Sequence, residues 1–388
     1  MKEWKTYRLG DIITISSGFP YKGEFIGKGN NYLLGMGCVS FKETFLKSGL
    51  RRYSGDAPER YIAQPGDIVL ATRQQSDNLP ILGMPAIIPQ AYNGYKMIIG
   101  ANLYKVQNES EFSNAYIYWL MKSPAYVHHI KSCQTGTTVR MITKANIEDF
   151  TFKAPEKSER DKIASFLWNI EEKIAINRQI NDNLEQQASS LLSDWISTYP
   201  CRTYKLSDIC KYANAKSETG NLTPQNYIST ENMLPNKKGI VEASNIPTGK
   251  ATCYKVDDIL IANIRPYFQK IWKADINGGC SADVLCIRAN IETHSPILYW
   301  LLHQDAFFEY VMTGAKGCKM PRGDKQHIMN WSIDLPEVQY WADLATQLGS
   351  IDQQIAYNRI ESINLSNLRD TLLPKLMSGE IKINEIDC

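Results

Sequence analysis

The residues of this chain best suited to a specific chemistry are Arg, Gln, Asn, Lys and Thr gathered on loops, because those side chains hydrogen-bond to base edges and phosphates. Residues 72–78 (TRQQSDN) offer Arg73, Gln74, Gln75 and Asn78. A related stretch, 263–270 (NIRPYFQK), offers Arg265, Tyr267, Gln269 and Lys270. Each directly follows an Asp-Ile strand. A second pair of loops is 131–144 (KSCQTGTTVRMITK) and 312–325 (MTGAKGCKMPRGDK). The former carries Gln134, Thr137, Thr138, Arg140 and Lys144, and the latter Lys316, Lys319, Arg322 and Lys325. These loops differ between the two stretches while their flanks match. Two readers of different sites show that pattern, and so do two drifting surface loops.

Catalytic signals are weak beside these. The Gly35-Met-Gly37 turn after Tyr32–Leu34 is a strand end with small residues. The chain has no phosphate-binding G-x-x-x-x-G-K-[ST], no G-x-S-x-G, and no Asn/Asp-Pro-Pro-aromatic tetrapeptide. Asp67 and Asp258 recur before strands, where Asp forms turns and caps. The nine cysteines contain no C-x-x-C pair, and the five histidines no metal-binding spacing. No metal, catalytic residue or cofactor is expected in this chain. No apolar segment is long enough to span a membrane, and residues 1–10 lack a signal-peptide core, so a cytoplasmic protein with reduced thiols is expected.

The loops sit on a repeated framework. Residues 4–12 (WKTYRLGDI) recur as 201–209 (CRTYKLSDI), and 66–70 (GDIVL) as 257–261 (DDILI). From Ala101 the offset is constant at 181, and 101–196 aligns with 282–377 without a gap, with 22 identities over 96 positions. A 388-residue chain of this kind is a tandem duplication, one copy over 1–196 and the other over 201–388. Within the first copy, short apolar runs at 12–15, 32–34, 68–71, 86–88 and 96–99 read as strands, and 114–121 and 125–132 as helices. The expected fold is α/β, with two mixed α/β globules in pseudo-twofold tandem repeat, each followed by a long helix. The expected boundaries are 1–155, 156–198, 199–336 and 337–388.

The long helices start past Pro155 and Pro336, with Ser158 offered as an N-cap. Ile163, Leu167, Ile170, Ile174, Asn177, Asn181, Leu184, Ala188, Leu191 and Trp195 alternate spacings of four and three. The second copy gives Leu344, Leu348, Ile351, Ile355, Asn358, Ser362, Leu365, Arg369, Leu372 and Leu376. That is the seam of a coiled coil, with Asn177 and Asn358 at central positions where a polar residue fixes register. An antiparallel pairing of the two helices brings the polar layers together. The alternative is two separate amphipathic helices, each on its own domain. Some 40 helical residues make a rod about 60 Å long, a spacer between two similar globules.

The net charge of +2 hides a division. Residues 1–155 hold 18 Lys and Arg against 12 Asp and Glu, and residues 197–336 hold 16 against 13. The helical segments reverse this, with 5 against 8 over 156–196 and 4 against 8 over 337–388. Basic globules suit a phosphate backbone, while acidic helices suit protein partners or plain solvation.

Several motifs then resemble one family, the DNA-specificity subunits of type I restriction-modification systems. They are Leu-Gly-Asp-Ile at 9–12, Pro-Gly-Asp-Ile at 65–68, YISTENM at 227–233, Gly-Thr-Thr at 136–138, and the closing LRDTLLPKLMSGEI at 368–381. The resemblance covers the chain in order. It departs where the family often has Glu-Gln at the helix starts. Here Glu159-Arg160 and Val338-Gln339 stand there, which puts a helix-start contact in doubt. The resemblance implies two target-recognition domains, each reading half of an interrupted, asymmetric site in double-stranded DNA. It implies helices that set the gap and dock two methyltransferase subunits, with restriction–translocase subunits completing the complex. S-adenosylmethionine, ATP and magnesium would belong to those partners. Two rivals stand beside this reading: a coiled-coil scaffold with two protein-binding globules, and a catalytic methyltransferase.

Overall fold

The computed structural model describes residues 4–75 and 80–385. Contacts divide the chain into two units, Met1–Ala175 with Ser362–Cys388, and Ile176–Glu361. The division therefore falls inside both long helices, not at their starts.

In the first unit a four-stranded sheet runs in the order Ile13–Ser17, Leu103–Asn108, Ile68–Ala71, Pro85–Ile87. Ile68–Ala71 is buried throughout, which explains its unbroken apolar sequence: both faces are covered. A second sheet has the order Leu50–Tyr53, Ile26–Leu34, Met97–Ile99, Ile62–Ala63. Helices Asn114–Leu120 and Pro124–Cys133 each start on a serine. The Ser113 hydroxyl accepts the Tyr116 N–H, and Ser123 accepts that of Tyr126. Pro124 occupies the first helical position, where no N–H is needed. The expected strands and helices are thus present to within a few residues. The long central strand, which begins at Ile26, extends furthest beyond its apolar core.

The second unit repeats this plan. Its sheets run Cys210–Tyr212, Val284–Ala289, Ile259–Ala262, Ile271–Lys273 and Lys216–Glu218, Lys250–Tyr254, Gly278–Cys280, Tyr227–Ile228. Helices Ser295–Leu302, Asp305–Thr313 and Lys325–Met329 start 181 residues after Asn114, Pro124 and Lys144. Asp67 and Asp258 act as turn formers, accepting the N–H of Gln64 (3.0 Å) and of Lys255 (2.8 Å). Asp258 is also buried under a bidentate Arg288 at 2.6 and 2.5 Å.

The first long helix is Lys157–Thr198 and the second is Trp341–Ser378. Ser158 lies inside the first turn and is not the cap: the Glu156 carbonyl accepts from Glu159 and Arg160, so the helix begins earlier. The departures at the helix starts have structural consequences. Arg160 is buried 3.7 Å over the Phe112 ring and donates to Glu111 at 2.6 Å. Val338 is exposed, and the second helix is anchored by Trp341, whose indole N–H donates to the Pro336 carbonyl.

Within the second unit the helices run antiparallel. Asn177 donates to the Asn358 carbonyl (3.4 Å) and to Glu361 (2.7 Å), Asn358 donates to Asn181 Oδ1 (2.8 Å), and Trp195 donates to the Tyr340 carbonyl (2.9 Å). Numbers rise on one helix as they fall on the other. The buried Asn177 and Asn358 are thereby brought together, with the half-buried Asn181 and Glu361 completing a polar layer. Within the first unit Ile163 and Leu167 join Leu373, Leu376 and Met377 in one apolar core. Near it the buried Arg369 guanidinium meets the Glu171 carboxylate and the Lys42 carbonyl. The seam is offset at one equivalent place in each helix: Leu192 is buried where Leu191 is half-buried, and Leu373 likewise displaces Leu372. An α-helix of 3.6 residues per turn drifts by about 20° per heptad against a 3.5 repeat, which moves the buried face one position on. Asn358→Leu removes the side-chain partner of Asn181 Oδ1 and of the Gln354 amide at a buried seam position. It should cost about 1–3 kcal/mol, read from urea unfolding of the full chain.

Candidate nucleic-acid interface

In the first unit, Arg73–Gln74 pairs antiparallel with Arg140–Met141, so a two-stranded ribbon joins the two candidate loops. The second loop closes on itself through paired main-chain bonds between Thr135 and Met141, at 3.0 and 2.8 Å. Gly136 makes the turn at φ 89°, and a side chain there would collide with the Val139 carbonyl. Arg73, Gln75, Thr137 and Thr138 are exposed, and Gln134, Arg140 and Lys144 are half-buried. Lys144 begins helix Lys144–Glu148 with its ammonium 5.7 Å from the Tyr104 ring. Asn78 lies outside the described residues. Gln74 is a correction: it is buried, and its side-chain carbonyl accepts the Leu82 N–H at 3.3 Å. Its amide supports the loop from within and is not presented at the surface.

The second unit builds the same closure 181 residues on. Lys316 and Arg322 exchange both main-chain bonds at 2.9 Å, around Gly317 at φ 104°. The other loop is again tied to it: Arg265 N–H donates to the Pro321 carbonyl (2.8 Å) and Gly323 N–H to the Asn263 carbonyl (3.1 Å). Arg265, Tyr267, Lys319 and Lys325 are exposed. Lys316 lies 2.6 Å from Asp324, and Arg322 lies 3.2 Å from Asp283. Asp324 caps helix Lys325–Met329 by accepting the N–H groups of Gln326 and His327. The Lys316 ammonium and those two N–H groups hold its carboxyl down at about 2. Two residues expected at the surface have internal tasks. Lys270 donates to the Thr230 carbonyl (2.6 Å), and Gln269 hydrogen-bonds Asp305. Both are half-buried, as Gln134, Arg140 and Lys144 are, so the correction here is partial: each commits one polar group to the interior.

The alternation of residue types gave no warning of these three. Their partners, the Leu82 N–H, the Thr230 carbonyl and Asp305, are set by how the chain returns past the loop. The structure also adds Phe268, exposed beside Tyr267, which a search for hydrogen-bonding types passes over.

The loops of each unit thus form one exposed, cation-bearing surface on a rigid framework. Among the described residues no group of acidic, His and Cys side chains is arranged to hold a metal ion. No helix of the described residues is long and apolar enough to cross a membrane.

Residues 1–186 match the family model of the type I restriction modification DNA specificity domain. The chain is 20% identical to the type I restriction enzyme MjaIX specificity subunit of Methanocaldococcus jannaschii, over 99% of this chain and 95% of that protein. It is 21% identical to the EcoDI specificity subunit of Escherichia coli, over 69% of this chain and 70% of that one. The crystal structure of a type I restriction-modification S subunit from M. genitalium superposes with a TM-score of 0.56 at 16% identity. It covers 97% of this chain and 96% of that one, and the likeness is one of fold.

Proposed function

We propose that this chain is a DNA-specificity subunit of a type I restriction-modification system, on the strength of the family match over residues 1–186 and the full-length relatives, and that each of its two repeats reads one half of a bipartite, asymmetric DNA site. The observation that carries this reading is the twofold construction of the loop surface. The same main-chain closure, Thr135 with Met141 and Lys316 with Arg322, recurs 181 residues apart. Around it the framework matches and the exposed side chains differ. Two similar scaffolds with different surface chemistry are what an asymmetric site requires.

Arg and Lys on these surfaces hold phosphates, while Arg, Gln, Asn and Thr read base edges in the major groove. The two long helices, as an antiparallel coiled coil, keep the readers at a set distance. Members of the family are in general non-catalytic. Base methylation then falls to two methyltransferase subunits and cleavage to restriction–translocase subunits, which bring S-adenosylmethionine, ATP and magnesium. Exposed Ile176, Ile180, Tyr357 and Ile360 on the long helices offer apolar surface for such partners. The complex works in the cytoplasm.

Mapping methylated bases genome-wide, in cells with and without this chain, tests the reading. A two-part motif that vanishes with the chain is expected, and an unchanged methylation pattern overturns it. Affinity of the assembled complex for DNA should fall steeply with salt as phosphate contacts release counterions. Salt-independent or absent DNA binding favours the protein scaffold instead. Arg73→Ala and Arg265→Ala should each relax base preference at one position by about 1–3 kcal/mol, measured by competition among single-base variants of the site. An equal loss on every sequence reassigns that arginine to the phosphate backbone.

A further inference from the structure

The loop 263–270 presents an aromatic pair to solvent. Tyr267 is 49% exposed and Phe268 38%, with ring centroids 4.7 Å apart at 54°. Large apolar rings in contact at the surface are costly unless something covers them. Of the polar residues that share this loop, Gln269 hydrogen-bonds Asp305, Lys270 donates to the Thr230 carbonyl and the Asn263 side-chain oxygen is buried, as is Pro266. The exposed residues of the loop are Arg265, Tyr267 and Phe268.

The rings are held in place and are not exposed by slackness. Arg265 and Gln269 both lie in the left-handed region at φ 50°, and so do Asn236 (56°) and Lys237 (60°) on the facing segment. Asn236 N–H donates to the Phe268 carbonyl at 2.8 Å and Lys237 N–H to the Gln269 carbonyl at 2.9 Å. The Lys237 ammonium reaches Asp305 at 2.6 Å, the carboxylate that Gln269 also meets. Four of the five non-glycine residues with positive φ among the described residues therefore meet behind this one loop. Left-handed backbone is strained for side chains other than Asn and Asp and persists where the surroundings over-determine it, as at ligand clamps. The Arg265 bond to the Pro321 carbonyl fixes the platform to the neighbouring loop, which carries the exposed Lys319.

A rigid surface of two rings beside cations fits a ligand with both an anionic and an apolar part. In the major groove of DNA the apolar feature of a base edge is the 5-methyl group of thymine. We propose that Tyr267 and Phe268 read a thymine in one half-site through that methyl group. The proposal rests on the DNA-specificity reading and adds a named base feature to it.

The test uses the chain assembled with its methyltransferase subunits and a duplex carrying the mapped site. Each thymine is replaced in turn by deoxyuridine, which removes only the methyl. Binding should weaken about fourfold at one or more positions of one half-site, the worth of one buried methyl-sized group. That penalty should vanish in the Tyr267→Ala/Phe268→Ala double variant, persist in Arg73→Ala, and survive in part in Phe268→Leu, which keeps an apolar side chain. If the double variant fails to assemble, Phe268→Leu and Tyr267→Ser carry the comparison. A penalty that none of these variants changes, or a site in which no thymine responds, overturns the proposal while leaving the specificity reading intact. Failure of the wild-type complex to prefer the mapped site over random DNA is the separate result that removes the reading beneath it.

Discussion

Arg369→Ala should destabilise the chain by about 3–5 kcal/mol, one of the largest losses expected from any single substitution here. The guanidinium sits at a seam position of the second long helix, 7% exposed, against Glu171 of the first helix, itself 8% exposed. It also donates to the Lys42 carbonyl and to Asp370. Truncation leaves the Glu171 carboxylate buried with only the Lys122 ammonium nearby, a weak substitute because burial pushes that group down to about 7. Much of the loss therefore comes from the stranded charge and not from the missing contact. A double variant, Arg369→Met with Glu171→Leu, removes both charges and should recover most of the loss. Urea unfolding of the full chain and its three variants forms a cycle that isolates the pair. If Arg369→Ala unfolds at the wild-type midpoint, the pair is solvated in solution and contributes little.

One base pair inserted between the half-sites should reduce the affinity of the assembled complex by on the order of 100-fold. The insertion moves one half-site by about 3.4 Å and turns it by about 35°, since one helical turn spans ~34–36 Å. A reader displaced by that much loses its base contacts, and each mismatched pair typically costs about 1–3 kcal/mol. The helices of 42 and 38 residues are the elements proposed to enforce the gap. Deleting one heptad from each, about 10.5 Å of helix, should shift the preferred spacer length. Unchanged affinity after the insertion removes the fixed-spacing proposal. A spacer preference that ignores the heptad deletion assigns the gap to some other element.

The duplication, the strands and the long helices could all be read from residue order. Each is encoded locally, by spacings of two, three or four and by an offset of 181 that recurs along the chain. Ser113, Ser123 and Pro124 punctuate the helices where such residues should. The burial of Asn177 and Asn358 follows from their place in the seam.

Partnership across the chain was not legible in the same way. An arginine at a seam position demands an acid, but Arg369 finds it 198 residues away, at Glu171. The equivalent acid of the second copy, Asp352, is met instead by Lys273 and the Trp300 indole N–H. On the loops, residue type marked out where hydrogen-bonding side chains gather, but only the packing decided which of them face outward. Gln74, Gln269 and Lys270 spend their polar groups on neighbours brought up by the return of the chain, and Tyr267 and Phe268 are left at the surface. Periodicity is a property of one segment and survives in the sequence. The direction of a side chain on an irregular loop depends on backbone angles and contacts fixed by distant segments, so it exists only once the chain has folded.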